Sequence, residues 1–188
     1  MEQYCLWAQS HELSQHYHHT EWGVPVHNDQ KHFEFLTLDA FQAGLSWLTI
    51  LKKREGFRVA FTNFDVTKVA LYTDADIERL MQDTSIVRNR LKITATILNA
   101  RAFLEVQKEF GSFDKYIWQF VNHATIKNNF SNWKEVPAKT QEAENMSKAL
   151  LKRGFKFVGP TICYAYMQAA GMVNDHETSC FRYHQVSQ

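Results

Sequence analysis

The 188-residue sequence predicts an all-α domain. Three observations carry that expectation. Apolar residues recur at helical spacing along most of the chain, and nothing reads as a strand ladder. Capping residues precede these periodic segments, and glycine follows several of them. The composition is 45% hydrophobic and 14% aromatic, ample material for one core. No repeat or linker divides the chain, so residues 1–188 are expected to form a single domain of roughly seven to nine short helices.

The elements follow in order. Asn28-Asp29 precedes Phe33, Leu36, Ala40 and Phe41, a cap followed by an i, i+3, i+4 pattern. Gly44 interrupts that segment, and Ser46 is placed to cap a second helix through Leu51. Thr73-Asp74-Ala75-Asp76 resembles a capping box and leads into Ile77, Leu80 and Met81. The longest helical pattern runs from Ile86 to about Val106. Ile86, Ile93, Ile97, Ala100 and Leu104 line one face of it, with Val87, Leu91 and Leu98 alongside. The polar stretch from Asn122 to Thr140 is the loosest region. Thr140 to Arg153 is helical and ends at Gly154. Pro160 opens a last helix that runs to Ala170 and stops at Gly171.

Bulk properties exclude several classes. Three prolines and seven glycines exclude a collagen-like or low-complexity chain. No stretch approaches the ~18 apolar residues of a membrane span. Met1-Glu2-Gln3-Tyr4 carries neither a basic region nor an apolar core, so a soluble cytoplasmic protein is expected. Three cysteines, an odd number, argue against a disulfide framework. The net charge of +1 is low for a nucleic-acid binder. Local clusters point the other way: Lys52-Lys53-Arg54, Arg88-Arg90-Lys92, and Lys148 with Lys152, Arg153 and Lys156. Each is equally readable as a solvated helix face.

Two constellations carry chemistry. Cys5 and His18 lie near one end, and His176 and Cys180 near the other. His176 and Cys180 are four apart, which on a helix puts both on one face. Two thiols and two imidazoles match a closed structural zinc site that would clip the termini together. Buried thiols with surface histidines are the plain alternative, and His16 and His19 are rival ligands. His11-Glu12 with His16 approaches a zinc-protease motif, but the histidines are five apart where that motif needs four. The second constellation is aromatic and acidic. Asp39 stands inside an apolar helix, near Trp7, Tyr17, Trp22 and Trp47 in sequence. Aromatic rings beside a lone carboxylate suit a planar cation. The alternative is a capped or arginine-paired Asp39 beside core aromatics.

Longer blocks then become informative. They are Glu21-Trp22-Gly23-Val24-Pro25, Phe41-Gln42-Ala43-Gly44-Leu45-Ser46-Trp47 and Leu51-Lys52-Lys53-Arg54-Glu55. Further along stand Phe120-Val121-Asn122-His123, Arg153-Gly154-Phe155-Lys156-Phe157-Val158-Gly159 and Val173-Asn174-Asp175-His176. In this order and spacing the chain resembles the 3-methyladenine DNA glycosylase I family of the helix-hairpin-helix superfamily, from Cys5 to Cys180. The resemblance implies a helix-hairpin-helix glycosylase fold with one structural zinc on Cys5, His18, His176 and Cys180, joining the termini. It implies a base pocket lined by Trp7, Tyr17 and Trp47, with Asp39 as the catalytic carboxylate that recognises the base. Gly44 and Leu45 would meet DNA in the gap left by the flipped nucleotide, and Ser85 and Arg88 would sit at the DNA-docking hairpin.

The implied activity is monofunctional hydrolysis of the N-glycosidic bond of 3-methyladenine in double-stranded DNA, by a monomer, without a lyase step. The sequence departs from the family in three places. Asp39 stands where glutamate is usual, a tyrosine is missing near Ser14, and Ser85 replaces a common glycine. Action on another modified purine, a non-catalytic zinc-stabilised DNA-binding module, and a protein binding free cationic heterocycles are the competing readings.

Overall fold

The computed structural model describes residues 3–186; Met1 and Glu2 of the amino-terminal reading lie outside the described residues. The chain is mostly helical, as expected. A 3-10 turn, Leu6–Ser10, leads into α1 (Glu12–Thr20). Then come α2 (Asp29–Gln42), α3 (Trp47–Ala60), the one-turn α4 (Val66–Val69) and α5 (Asp74–Gln82). They are followed by α6 (Arg90–Phe110), α7 (Phe113–Trp118), α8 (Gln141–Lys152), α9 (Pro160–Ala169) and the short α10 (Arg182–Gln185).

Helix α2 is the centre. Every residue from 32 to 41 is buried, the pattern of a helix surrounded on all sides. It packs against α3, α6, α7 and α9. Its start is set by the Asn28 side chain, which accepts from the Lys31 N–H at 3.0 Å. Asp29 serves a second helix. Its carboxylate accepts from the backbone of Phe113 and Asp114 at 2.8 and 2.9 Å, at the positive end of α7. His32, also buried, links three helices. Its Nε2–H donates to Asp114 at 3.0 Å, and its Nδ1 accepts from the Tyr166 hydroxyl at 2.6 Å. Aromatic stacking fills the surrounding space, with Phe103 and Phe113 only 3.9 Å apart between ring centres.

Most starts and stops fall where the sequence puts them. Ser46 caps α3 through the Thr49 N–H, Thr140 caps α8, and Gly154 and Gly171 leave α8 and α9 with positive φ. At α5 the Asp76 carboxylate reaches back to the Thr73 N–H at 2.9 Å. Three expectations are corrected. Helix α6 begins at Arg90 rather than Ile86, because Asn89 is extended and caps the helix through the Lys92 N–H. Ile86 is buried as the anchor of the preceding turn, so the apolar pattern continues where the helix does not. Leu91 is 72% exposed, off the packed face. Helix α3 continues past Leu51 to Ala60, carried by buried Arg54 and Phe57. A two-residue parallel pair also forms, Ile126 with Val173 and Lys127 with Asn174, which ties the loose region to the carboxyl-terminal segment.

One charged cluster is internal. Arg54 is buried and holds Glu21 with two guanidinium nitrogens at 2.7 and 2.8 Å, and Glu34 with Nε at 2.8 Å. It thereby joins α3 to α2 and to the end of α1. Burial would push Glu21 up, but Arg54 and Lys31 more than reverse this, to about 2. Because the folded value lies below the ordinary one, Glu21 contributes stability that is present above about pH 4.3. That contribution is lost as the pH falls toward about 2. We expect Arg54→Met to lower stability by about 1–3 kcal/mol at neutral pH, since it leaves Glu21 with Lys31 alone and Glu34 with Lys31 and Arg58. Denaturant melts from pH 7 to pH 3 should show the gap between variant and wild type closing as the carboxylates protonate.

Candidate active site and metal centre

A cavity of about 330 Å³ opens between α1, the end of α2, the start of α3 and α9. Its size lies at the low end of small-molecule sites. Trp7, Tyr17 and Trp47 all line it, and so does Asp39. The Tyr17 and Trp47 rings are 5.2 Å apart, and Trp7 lies 6.5 Å from Tyr17. Trp22 completes the aromatic wall at 5.0 Å from Trp7. The local sequence explains the convergence. Residues 5–10 fold as a 3-10 turn against α1, bringing Trp7 to the face that carries Tyr17. The α2–α3 corner at Gly44 returns Trp47 beside Asp39.

Among the further lining residues, none of them predicted as a site residue from the sequence, are Ser14, Gln42, Trp133 and Gln168. Ser14 was legible, since it lies one helical turn before Tyr17. Trp133 was legible only as a tryptophan in an otherwise polar stretch. Gln168 belongs to a polar cluster: with the Tyr164 hydroxyl it donates to Asp175, at 2.8 and 2.6 Å.

The polar atoms of this cavity are unusual. Five buried side-chain N or O atoms among the described residues have no hydrogen-bond partner. Three of them are cavity atoms: Asp39 Oδ2, Trp7 Nε1 and Trp47 Nε1. Such atoms are rare in folded proteins and call for a ligand or another explanation. Asp39 is 2% exposed. Burial pushes its carboxyl well above the ordinary carboxylate range, and Arg54 offsets this only in part. The plain alternative for Asp39, a direct arginine pair, does not occur; Arg54 spends its nitrogens on Glu21 and Glu34.

The second constellation also assembles. Cys5, His18, His176 and Cys180 are buried, and their donor atoms lie within 4.8 Å of one another, so the group can hold a metal ion. Nδ1 of His176 is 3.1 Å from Nε2 of His18 and 3.6 Å from each sulfur. His176 Nε2–H donates to the Trp22 carbonyl at 3.1 Å, which leaves the Nδ1 lone pair facing the cluster. Gly23 is required beside it. Its φ is +79°, and a Cβ there would lie 2.9 Å from His176 Nε2. His19 stands behind His18 at 2.9 Å, and His16 is exposed, so neither rival joins the group. The helical reading of His176 and Cys180 is corrected. They approach through a turn closed by Cys180 N–H to Glu177 O at 2.8 Å, ahead of α10.

The chain matches the methyladenine glycosylase family model over residues 7–183. The chain belongs to that family. It is 48% identical over 179 residues to DNA-3-methyladenine glycosylase 1 of Escherichia coli, covering 95% of this chain and 96% of the relative. It is 46% identical to DNA-3-methyladenine glycosylase of Haemophilus influenzae, covering 94% and 95%. A crystal structure of 3-methyladenine DNA glycosylase I superposes with a TM-score of 0.93 at 46% identity, over 95% of this chain and 98% of that one. The Staphylococcus aureus enzyme, in a structure addressing 3-methyladenine recognition, superposes with a TM-score of 0.92 at 35% identity, over 94% of each chain.

The remaining family positions lie on the surface. Gly44, with φ +79°, and Leu45, 40% exposed, form the corner beside Gln42, Ser46 and Trp47 of the cavity wall. Ser85 and Arg88 are exposed in the turn between α5 and α6. Several members of the basic clusters are engaged with other residues instead, two of them buried and the rest at the surface. Arg54 pairs internally, Arg90 holds Glu78, Arg153 holds Glu109, Lys53 donates to the Thr84 carbonyl at 2.8 Å, and Lys92 is buried. Lys52, Arg88, Lys148, Lys152 and Lys156 stay exposed.

The state of Asp39 generates a test. A carboxyl raised in the folded state binds a proton that the unfolded chain releases, so its contribution to stability falls as the pH rises through that interval. We expect Asp39→Asn to raise the melting temperature at neutral pH, and the gain to vanish near pH 4. Thermal melts of both proteins across that range read it directly.

Proposed function

We propose that this chain hydrolyses the N-glycosidic bond of 3-methyladenine in alkylated double-stranded DNA, after flipping the nucleotide into the aromatic cavity. One observation carries the reading: a buried acceptor and two buried donors, all unpartnered, belong to residues that line one cavity of about 330 Å³. An adenine edge offers an amino donor beside a ring-nitrogen acceptor. Asp39 suits the former and the indole N–H groups suit the latter. The methylated ring is cationic, so it favours the ionised carboxylate that the empty cavity disfavours. Trp7, Tyr17 and Trp47 add stacking and cation–π attraction.

The chemistry asks little more of the protein. A water adds to the anomeric carbon and gives up one proton to solvent, and the electron pair of the broken C–N bond leaves with the base and neutralises its charge. Flipping costs a few kcal/mol, less at a damaged base. No lysine lines the cavity, so release proceeds without a Schiff base and without strand cleavage. Gly44 and Leu45 fill the gap in the duplex. The turn bearing Ser85 and Arg88 docks the backbone as the hairpin of a helix-hairpin-helix unit, its N–H groups toward phosphate. The whole chain acts as one domain and as a monomer. We place it in the cytoplasm; no helix of the described residues is long and apolar enough to cross a membrane.

Zinc is the metal we assign to the four-residue cluster. Two thiolates and two imidazoles form a closed structural set, and a tetrahedron around zinc has ligand–ligand edges of roughly 3.3–3.8 Å. Four of the six separations run from 3.1 to 3.6 Å, close to that, and all lie within 4.8 Å. Bound there, zinc cross-links the termini and supplies no step of the reaction.

Two outcomes are expected. Asp39→Asn should fold and lose most release of 3-methyladenine from alkylated duplex DNA, because the amide brings no charge and adds a donor. Asp39→Glu distinguishes a cavity that keeps room for the longer acid from one closed around aspartate. In the latter case overpacking costs roughly 1–3 kcal/mol. Full excision by Asp39→Asn would make the residue structural. Purified protein should carry one zinc per chain, and Cys180→Ser should lower the melting temperature more than it alters excision per folded molecule. Metal analysis finding no zinc, with stability indifferent to chelation, would overturn the assignment.

A further inference from the structure

Lys92 stands in the first turn of α6, yet its side chain runs inward and the residue is 7% exposed. Its Nζ donates to the carbonyls of Phe41 at 2.7 Å and Ala43 at 2.6 Å. These carbonyls belong to the last turn of α2, where helix geometry leaves oxygens without internal donors and the dipole is negative. No carboxylate pairs with Lys92 among the described residues. A buried ammonium held only by carbonyls is an expensive way to close a helix. What the lysine adds is a fixed distance.

That distance joins two surface features. On one side, directly after Ala43, stands the exposed corner of Gly44 and Leu45. The Leu45 N–H closes it on the Gln42 carbonyl at 2.7 Å. On the other side is the turn of Ser85 and Arg88, which leads into Asn89 and α6. That turn is rigid. Ser85 bonds the Asp83 carboxylate through N and Oγ, and Lys53 grips Thr84. Gly56 of α3 presses so close that a Cβ would lie 2.4 Å from the Ser85 carbonyl.

We propose that Lys92 is a positioning residue for base excision, holding the Gly44–Leu45 corner at a set spacing from the Ser85–Arg88 turn so that one duplex meets both. This rests on the reading that both features face DNA. Lys92 touches neither the base nor the reacting atoms. It acts through the corner, and small displacements of a positioning element are costly: a shift of about 1 Å can lower a rate about 10²-fold.

The test is a double-mutant cycle with Lys92→Met, Leu45→Ala and the pair. Single-turnover release of 3-methyladenine from alkylated duplex DNA is measured beside equilibrium dialysis of the free base. Lys92→Met is expected to keep its affinity for free 3-methyladenine and to lose roughly tenfold or more in excision. Leu45→Ala also loses excision. The pair is no worse than Leu45→Ala alone, because Lys92 has nothing left to position. Lys92→Met excising like wild type while Leu45→Ala is impaired would overturn the proposal. So would independent, multiplying losses, or a parallel loss of free-base affinity, which marks a general structural role. Leu45→Ala excising like wild type would instead overturn the reading of the corner as a DNA contact, and the proposal with it. If Lys92→Met does not fold, Lys92→Gln, which keeps one amide donor, carries the same measurements.

Discussion

Burying the Asp39 carboxyl without a partner costs the fold several kcal/mol in desolvation, and its surroundings are arranged so that the cost stays uncompensated until something enters the cavity. The nearest guanidinium, Arg54, is saturated by Glu21 and Glu34. The helix that carries Asp39 is buried along ten consecutive residues, so the side chain has no route to solvent by local fraying. Two of the lining indoles, Trp7 and Trp47, keep their own N–H groups unbonded. A site built this way gains most from a ligand that is flat, positively charged and able to satisfy both hydrogen-bond polarities at once. Neutral purines satisfy only part of that demand.

The cluster of Cys5, His18, His176 and Cys180 solves a different problem. The aromatic wall comes from the first twenty residues, which have little regular structure besides α1. Without an anchor, Trp7 and Tyr17 would be free to shift relative to Asp39. The cluster fixes them from behind: His176 reaches the carbonyl of Trp22, and the Glu177 N–H reaches the Cys5 sulfur at 3.4 Å. The Cys5–Cys180 contact and burial push the Cys5 thiol up, while the same contact, with His176 and His18, holds Cys180 below the ordinary thiol range. A cation bound by both sulfurs would displace their protons and complete the set. Cavity and cluster share Trp22, whose ring lines the one and whose carbonyl accepts from His176 in the other.

Much of this was legible in the sequence because capping is local chemistry. Asn28, Ser46, Thr140, Gly154 and Gly171 mark helix ends through bonds spanning three or four residues. Asp39 was legible as a carboxylate out of place in an apolar helix. What failed depended on contacts distant in the chain. Ile86 looks helical because it is buried, but what buries it is the packing of a turn. His176 and Cys180 look helical by spacing, yet the strand pair at Val173 and the bond from Thr178 N–H to Phe130 O impose a turn. The basic clusters gave no sign of which members are already paired, because Glu21, Glu34, Glu78 and Glu109 lie in other segments of the chain. Trp133 and Gln168 reach the cavity only through the fold.

The aromatic wall also makes the protein its own optical probe. The chain has five tryptophans, and four of them, Trp7, Trp22, Trp47 and Trp133, line the cavity. The fifth, Trp118, is buried elsewhere and bonded to the Val26 carbonyl. Ultraviolet emission therefore arises mostly from rings that a bound base would touch. Stacking of an electron-poor heterocycle on those rings quenches them together, and occupancy becomes readable without a label. The same crowding couples the indoles at separations of 5.0 to 6.2 Å, so excitation reaching one is shared among its neighbours. A single ligand contact then darkens the set rather than one member of it.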